Sequence, residues 1–73
     1  MKTYLTIWFN SEGASPSEVV KRLQDMGFRP VKGYHDHVYD WKKEITLDDV
    51  LQLGNALHET LRGLNVTYKM ETI

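Results

Sequence analysis

Two histidines stand two residues apart in His35-Asp36-His37, with Asp40 close behind. In an extended segment that spacing sends both imidazoles to one face. Two imidazoles so placed can chelate a divalent ion, with Asp36 or Asp40 adding an oxygen. His35 and His37 are therefore the candidate metal ligands. A metal site needs three or four converging donors, and the remaining histidine, His58, falls on the border of a helical apolar stripe. The alternative for the pair is a polar hairpin tip, and no cofactor is expected.

A second group is the small polar loop Asn10-Ser11-Glu12-Gly13-Ala14, followed by Ser15. It feeds a helix start, where free amides can hold a carboxylate or phosphate. Asn10, Ser11, Gly13 and Ser15 are the candidate ligand-binding residues, although the same residues also describe an ordinary capped turn. A third group is aromatic. Tyr4, Thr6 and Trp8 alternate with Leu5, Ile7 and Phe9, so the two sets point to opposite faces of a strand. The more apolar set belongs in a core, which leaves Trp8 in the open. Tyr4, Thr6 and Trp8, with Val38 from a neighbouring strand, form a candidate interaction surface, because an exposed tryptophan anchors interfaces well. No Ser/His/Asp or paired-carboxylate set can be assembled with specificity, so the chain is not expected to be an enzyme.

These residues need elements to position them, and the chain spells the same order twice: strand, capped helix, strand. Residues 3–9 are β-branched and aromatic and read as a strand. Ser15-Pro16-Ser17-Glu18 then caps a helix, with Glu18 able to reach back to the cap. Val19, Val20, Leu23 and Met26 form its apolar stripe, and Gly27 ends it with Phe28 behind. Residues 29–34 read as a weaker edge or bulged strand, because Pro30 cannot donate and Gly33 has no side chain. Residues 38–42 alternate, with His37, Tyr39 and Trp41 on one face and Val38, Asp40 and Lys42 on the other. Thr46 caps a second helix whose apolar face is Leu47, Val50, Leu53, Leu57 and Leu61. Gly54 inside that stripe predicts close backbone contact with the sheet or the other helix, and Gly63 ends the helix. Residues 66–72 are the last strand.

Right-handed crossovers place both helices on one side of the sheet. The βαββαβ order then predicts one α+β domain over residues 1–73, a two-layer sandwich on an antiparallel sheet of strand order 4-1-3-2. The helix-facing set is Leu5, Ile7, Phe9, Tyr39, Trp41, Val66, Tyr68 and Met70. This arrangement resembles the ferredoxin-like fold, over the whole chain but without a diagnostic motif. Iron–sulfur ferredoxins and soft-metal chaperones of this shape use cysteines, and the chain has none. Acylphosphatases of this shape aim an arginine into the loop after the first strand; here that loop carries Glu12 and no arginine. RNA-recognition domains stack bases on central-strand aromatics. Lys32-Gly33-Tyr34 is similar to the start of their motif, but His35-Asp36-His37-Val38 departs from it. ACT-type regulatory domains bind small ligands near the first loop, which keeps that loop a candidate.

Composition narrows the partners. A chain of 73 residues is small enough to be marginal alone, so pairing with another copy would help. A formal net charge of −1 argues against a dedicated nucleic-acid binder. The absence of cysteine staples favours a cytoplasmic location, and no segment reads as a membrane span or a leader. The sequence therefore predicts a non-catalytic interaction or self-associating module that uses the sheet face around Trp8. Its expected partner is a protein or a second copy, not nucleic acid or membrane. The alternatives are a small-ligand or metal sensor at residues 10–15 or at His35 and His37, and third, nucleic-acid binding.

Overall fold

The computed structural model describes residues Met1–Ile73. The elements are β1 (Lys2–Trp8), α1 (Pro16–Met26), β2 (Arg29–Pro30), β3 (His37–Asp40), α2 (Leu47–Leu61) and β4 (Thr67–Thr72). The four strands form one antiparallel sheet in the order β2-β3-β1-β4, which is the expected order read from the other edge. Both helices bury their apolar stripes in a single cluster with β1. Val19 and Leu23 of α1 and Leu53, Leu57 and Leu61 of α2 meet Leu5 and Ile7 there, joined by Phe28 and Leu64. Tyr39, Trp41, Val66, Tyr68 and Met70 pack against its margin, as their alternation predicts.

The caps explain where the helices begin and end. Ser15 Oγ accepts from the Glu18 amide, and Pro16 takes the first helical position. Gly27, at φ 105°, ends α1 in the left-handed conformation; its amide donates to the Gln24 carbonyl, and that of Phe28 donates to the Leu23 carbonyl. This pair of hydrogen bonds turns Phe28 into the core. The reciprocal capping box forms in α2 rather than α1: the Asp49 amide donates to Thr46 Oγ1, and the Thr46 amide donates to Asp49 Oδ2. The Thr46 amide holds the Asp49 carboxyl below the usual carboxylate range. At Gly54 an added Cβ would meet only Met70 Cε, at 3.4 Å, so the expected close backbone contact is replaced by ordinary contact with the end of a flexible side chain.

Several expectations are corrected. Phe9 is 45% exposed rather than core, because β1 ends at Trp8, whose partner Thr67 is also the first residue of β4. Phe28 supplies the buried ring instead, and Thr3 is a buried member of the helix face. Leu47 is exposed in the first turn of α2, ahead of Leu53, its first buried residue. Helix α2 stops at Leu61, two residues before Gly63. The second strand is two residues long rather than six, and β3 begins at His37 and ends at Asp40, ahead of Lys42 at φ 58°. A strand of that length leaves residues 31–36 free to do something else.

Candidate interaction surface

What residues 31–36 do is set by Asp36. Its amide donates to the Leu5 carbonyl at 2.8 Å, although His37 is already the register partner of Leu5. Two residues therefore oppose one, the geometry of a bulge. Asp36 Oδ2 then accepts from the Ile7 amide at 2.8 Å, so a side chain stands where the next strand carbonyl would. The Asp36 carbonyl also accepts from the Val31 amide, which closes the segment into a loop.

The extra residue shifts the side-chain alternation by one, and this separates the histidines. His37 stays on the helix side beside Leu5 and is 5% exposed. His35 turns to the opposite face and stacks on Tyr4, with ring centroids 4.6 Å apart. The expectation that both rings share a face is thus corrected. His35 Nε2 donates to Glu71 Oε1 at 3.2 Å, and Lys69 Nζ approaches the same oxygen at 3.5 Å. These two partners, His35 first, hold the Glu71 carboxyl below the usual range. Tyr34 packs edge-on to His35. The segment 31–36 is therefore a strap across the sheet face that the helices leave bare.

Burial sets the two imidazoles apart chemically. Neither Nδ1 nor Nε2 of His37 has a hydrogen-bond partner. Burial pushes its pKa below the ordinary histidine value, with the Asp36 carboxylate opposing. No group of three or more His, Cys, Asp or Glu side chains is placed to hold a metal ion.

The strap also redraws the expected surface. Val38, the register partner of Tyr4, is 4% exposed, so it is not available to a partner as expected. Tyr4 and Thr6 are half-buried, Tyr4 beneath the His35 ring. Trp8 is 53% exposed, beyond the strap, beside Thr67 of β4. No protein family matches the chain, and neither a curated protein nor a solved structure shows significant similarity to it.

The first loop is drawn into internal bonds. Asn10 Oδ1 accepts from the Glu12 amide, and the Asn10 carbonyl accepts from that of Gly13. A Cβ at Gly13 would stand 2.5 Å from the Leu64 carbonyl oxygen, so glycine is required where this loop meets the turn before β4. The Ala14 amide donates to that same carbonyl. Ser11 is exposed, and Ser15 Oγ is committed to the α1 cap. Asn10, Ser11, Gly13 and Ser15 thus lie together, with the carbonyl and Oδ1 of Asn10, the Gly13 amide and the carbonyl and Oγ of Ser15 bonded within the chain. Asp36 is the residue that sequence reasoning missed as an organiser. Its signal was an acid next to a short strand, too common a pattern to single out.

The helices leave two shallow depressions. One, of about 680 Å³, runs along the outer side of α1 past Lys21, Arg22 and Asp25 to Thr60 of α2. The other, of about 300 Å³, lies between the end of α2 and β4, beside His58 and Tyr68. The first is lined almost wholly by solvated polar side chains. No helix is long and apolar enough to cross a membrane.

Proposed function

We propose that this chain is a non-catalytic interaction module of ferredoxin-like architecture, which captures a protein partner through the uncovered part of its sheet. One observation carries the reading: Trp8 is 53% exposed on the face opposite the helices, at the end of that face the strap does not reach. An exposed tryptophan on a rigid strand supplies a large apolar contact at little entropic cost. The polar surroundings, Thr6, Thr67 and Lys69, suit the rim of such a contact.

The test is Trp8→Lys. The side chain contributes little to the core, so far-ultraviolet dichroism and the melting midpoint of the monomer stay unchanged. Association weakens by about 2 kcal/mol or more, as expected for a tryptophan anchor. A stable contact would bury on the order of 600–800 Å² per side. Sedimentation of both proteins, with capture of partners on immobilised chain, reads the loss. Equal behaviour of the two proteins in both assays removes this reading and promotes the ligand-sensor alternative.

A further inference from the structure

The sheet has two edges, and the chain treats them differently. The β2 edge is two residues long and contains Pro30, a combination that blocks further pairing. The β4 edge is six residues long and contains no proline. Its hydrogen-bonding phase follows from its first neighbour. Lys2 and Ile73 exchange both backbone hydrogen bonds, at 3.1 and 2.9 Å. By alternation, Glu71, Lys69 and Thr67 also turn their backbone groups towards β1. The N–H and C=O groups of Tyr68, Met70 and Thr72 therefore point outward, where no strand lies.

We infer that this edge takes a second copy of the same chain, by antiparallel β4–β4 pairing about a two-fold axis at Met70. The inference rests on reading the chain as an interaction module, and it adds a surface distinct from Trp8. Three features select this register. First, the outward residues are symmetric about Met70, so Met70 pairs with its own copy and Tyr68 with Thr72 of the copy. All three outward residues then find partners, giving six backbone hydrogen bonds. Second, Lys69 falls opposite Glu71 of the copy, and Glu71 opposite Lys69, on one face of the joined sheet. Both are non-hydrogen-bonded pairs, in which side chains approach most closely. Third, an axis at residue 69 would set lysine against lysine, and one at residue 71 glutamate against glutamate, each a destabilising pair.

A lone lysine on an edge strand normally deters pairing. Here Glu71 converts that deterrent into a pattern that complements itself at one register only. Within one chain Lys69 and His35 both lie against Glu71 Oε1, so Glu71 Oε2 is left for the lysine of the copy. Trp8 lies one strand inward from Thr67 and stays uncovered in such a pair. Strand pairing alone makes a small contact, so the dimer is concentration-dependent rather than obligate.

The experiment combines charge reversal with amide exchange. Wild type, Lys69→Glu, Glu71→Lys and the double variant are sedimented from about 10 µM to 1 mM, a range that brackets a weak dimer. Each single reversal sets like charges opposite each other twice and should weaken dimerisation by about tenfold. The double variant restores opposite pairs and should recover the wild-type dimer. A general loss of folding would not be rescued this way. Amide exchange gives the phase: protection at Tyr68, Met70 and Thr72 should rise with protein concentration, while that at Thr67, Lys69 and Glu71 should not. A wild type that stays monomeric at the highest concentration overturns the inference, as does a dimer indifferent to the charge series. A dimer lost only in Trp8→Lys overturns the edge pairing while leaving the proposed function standing. An edge dimer that persists while Trp8→Lys changes no association or capture does the reverse.

Discussion

The two faces of this sheet are closed by different physics. On one, Leu5 and Ile7 are covered by two helices, and the contacts are apolar. On the other, Tyr4 is covered by a six-residue strap held by Asp36, by a Tyr4–His35 stack and by a His35–Glu71 contact. Apolar burial is non-directional and scales with area, so the helix face tolerates small displacements. The strap depends on a few directional bonds, so losing one releases a whole segment. The helix face should therefore govern global stability, and the strap local opening.

Leu57 has no exposed surface, and Leu57→Ala should cost about 2–5 kcal/mol, a large share of the stability of a domain this size. Urea unfolding measures it, and a cost under about 1 kcal/mol would erase the contrast between the faces. Asp36→Ala comes next. It strips the Ile7 amide of its acceptor, at a cost of about 1–3 kcal/mol. Its signature is local: the His35 ring leaves Tyr4, and strap amides exchange faster than those of β1. Uniform acceleration across the chain would show that the strap opens only when the whole molecule does.

The smallest effect is the most pH-sensitive. Burial lowers the pKa of His37 in the folded state, so the unfolded chain takes up that proton more readily. The resulting stability is complete above the ordinary histidine value of about 6.5 and is lost as pH falls towards the folded value. Glu71, also lowered, acts the same way further down, with stability lost as pH falls below about 4.3. His37→Leu removes two unpartnered ring nitrogens and should stabilise the fold by roughly 1 kcal/mol near neutrality. It should also flatten the pH dependence just below 6.5 while leaving the lower limb, set by Glu71 and Asp49, in place. Unfolding curves at a series of pH values test both, and an unchanged slope in the upper window would deny His37 its part.

The second half of the chain was more legible than the first. Residues 38–42 and 66–72 alternate cleanly, and their inward residues Tyr39, Trp41, Tyr68 and Met70 pack where alternation sends them. Residues 29–34 carry Pro30 and Gly33, and local pattern showed only that this strand would be weak. Phe9 and Val38 were misplaced for related reasons. Alternation predicts a side of the strand, but not whether the strand extends that far or what crosses over it.

By itself, then, the sequence determined what local interactions control: the order of elements, the Ser15 and Thr46 caps, the Gly27 terminus and the apolar stripes that bring both helices to Leu5 and Ile7. Those features depend on residues within a few positions of each other, and propensity and periodicity report them. Only the tertiary structure decided the rest. The bulge at Asp36 exists because Ile7, 29 residues earlier in the chain, offers an amide that a carboxylate can take. Together with the bond from the Asp36 amide to the Leu5 carbonyl, that long-range bond sends His35 and His37 to opposite faces. The outward phase of β4 is likewise fixed by its pairing with Lys2, at the other end of the chain. Such contacts depend on which segments meet in space, and short-range pattern carries no record of that.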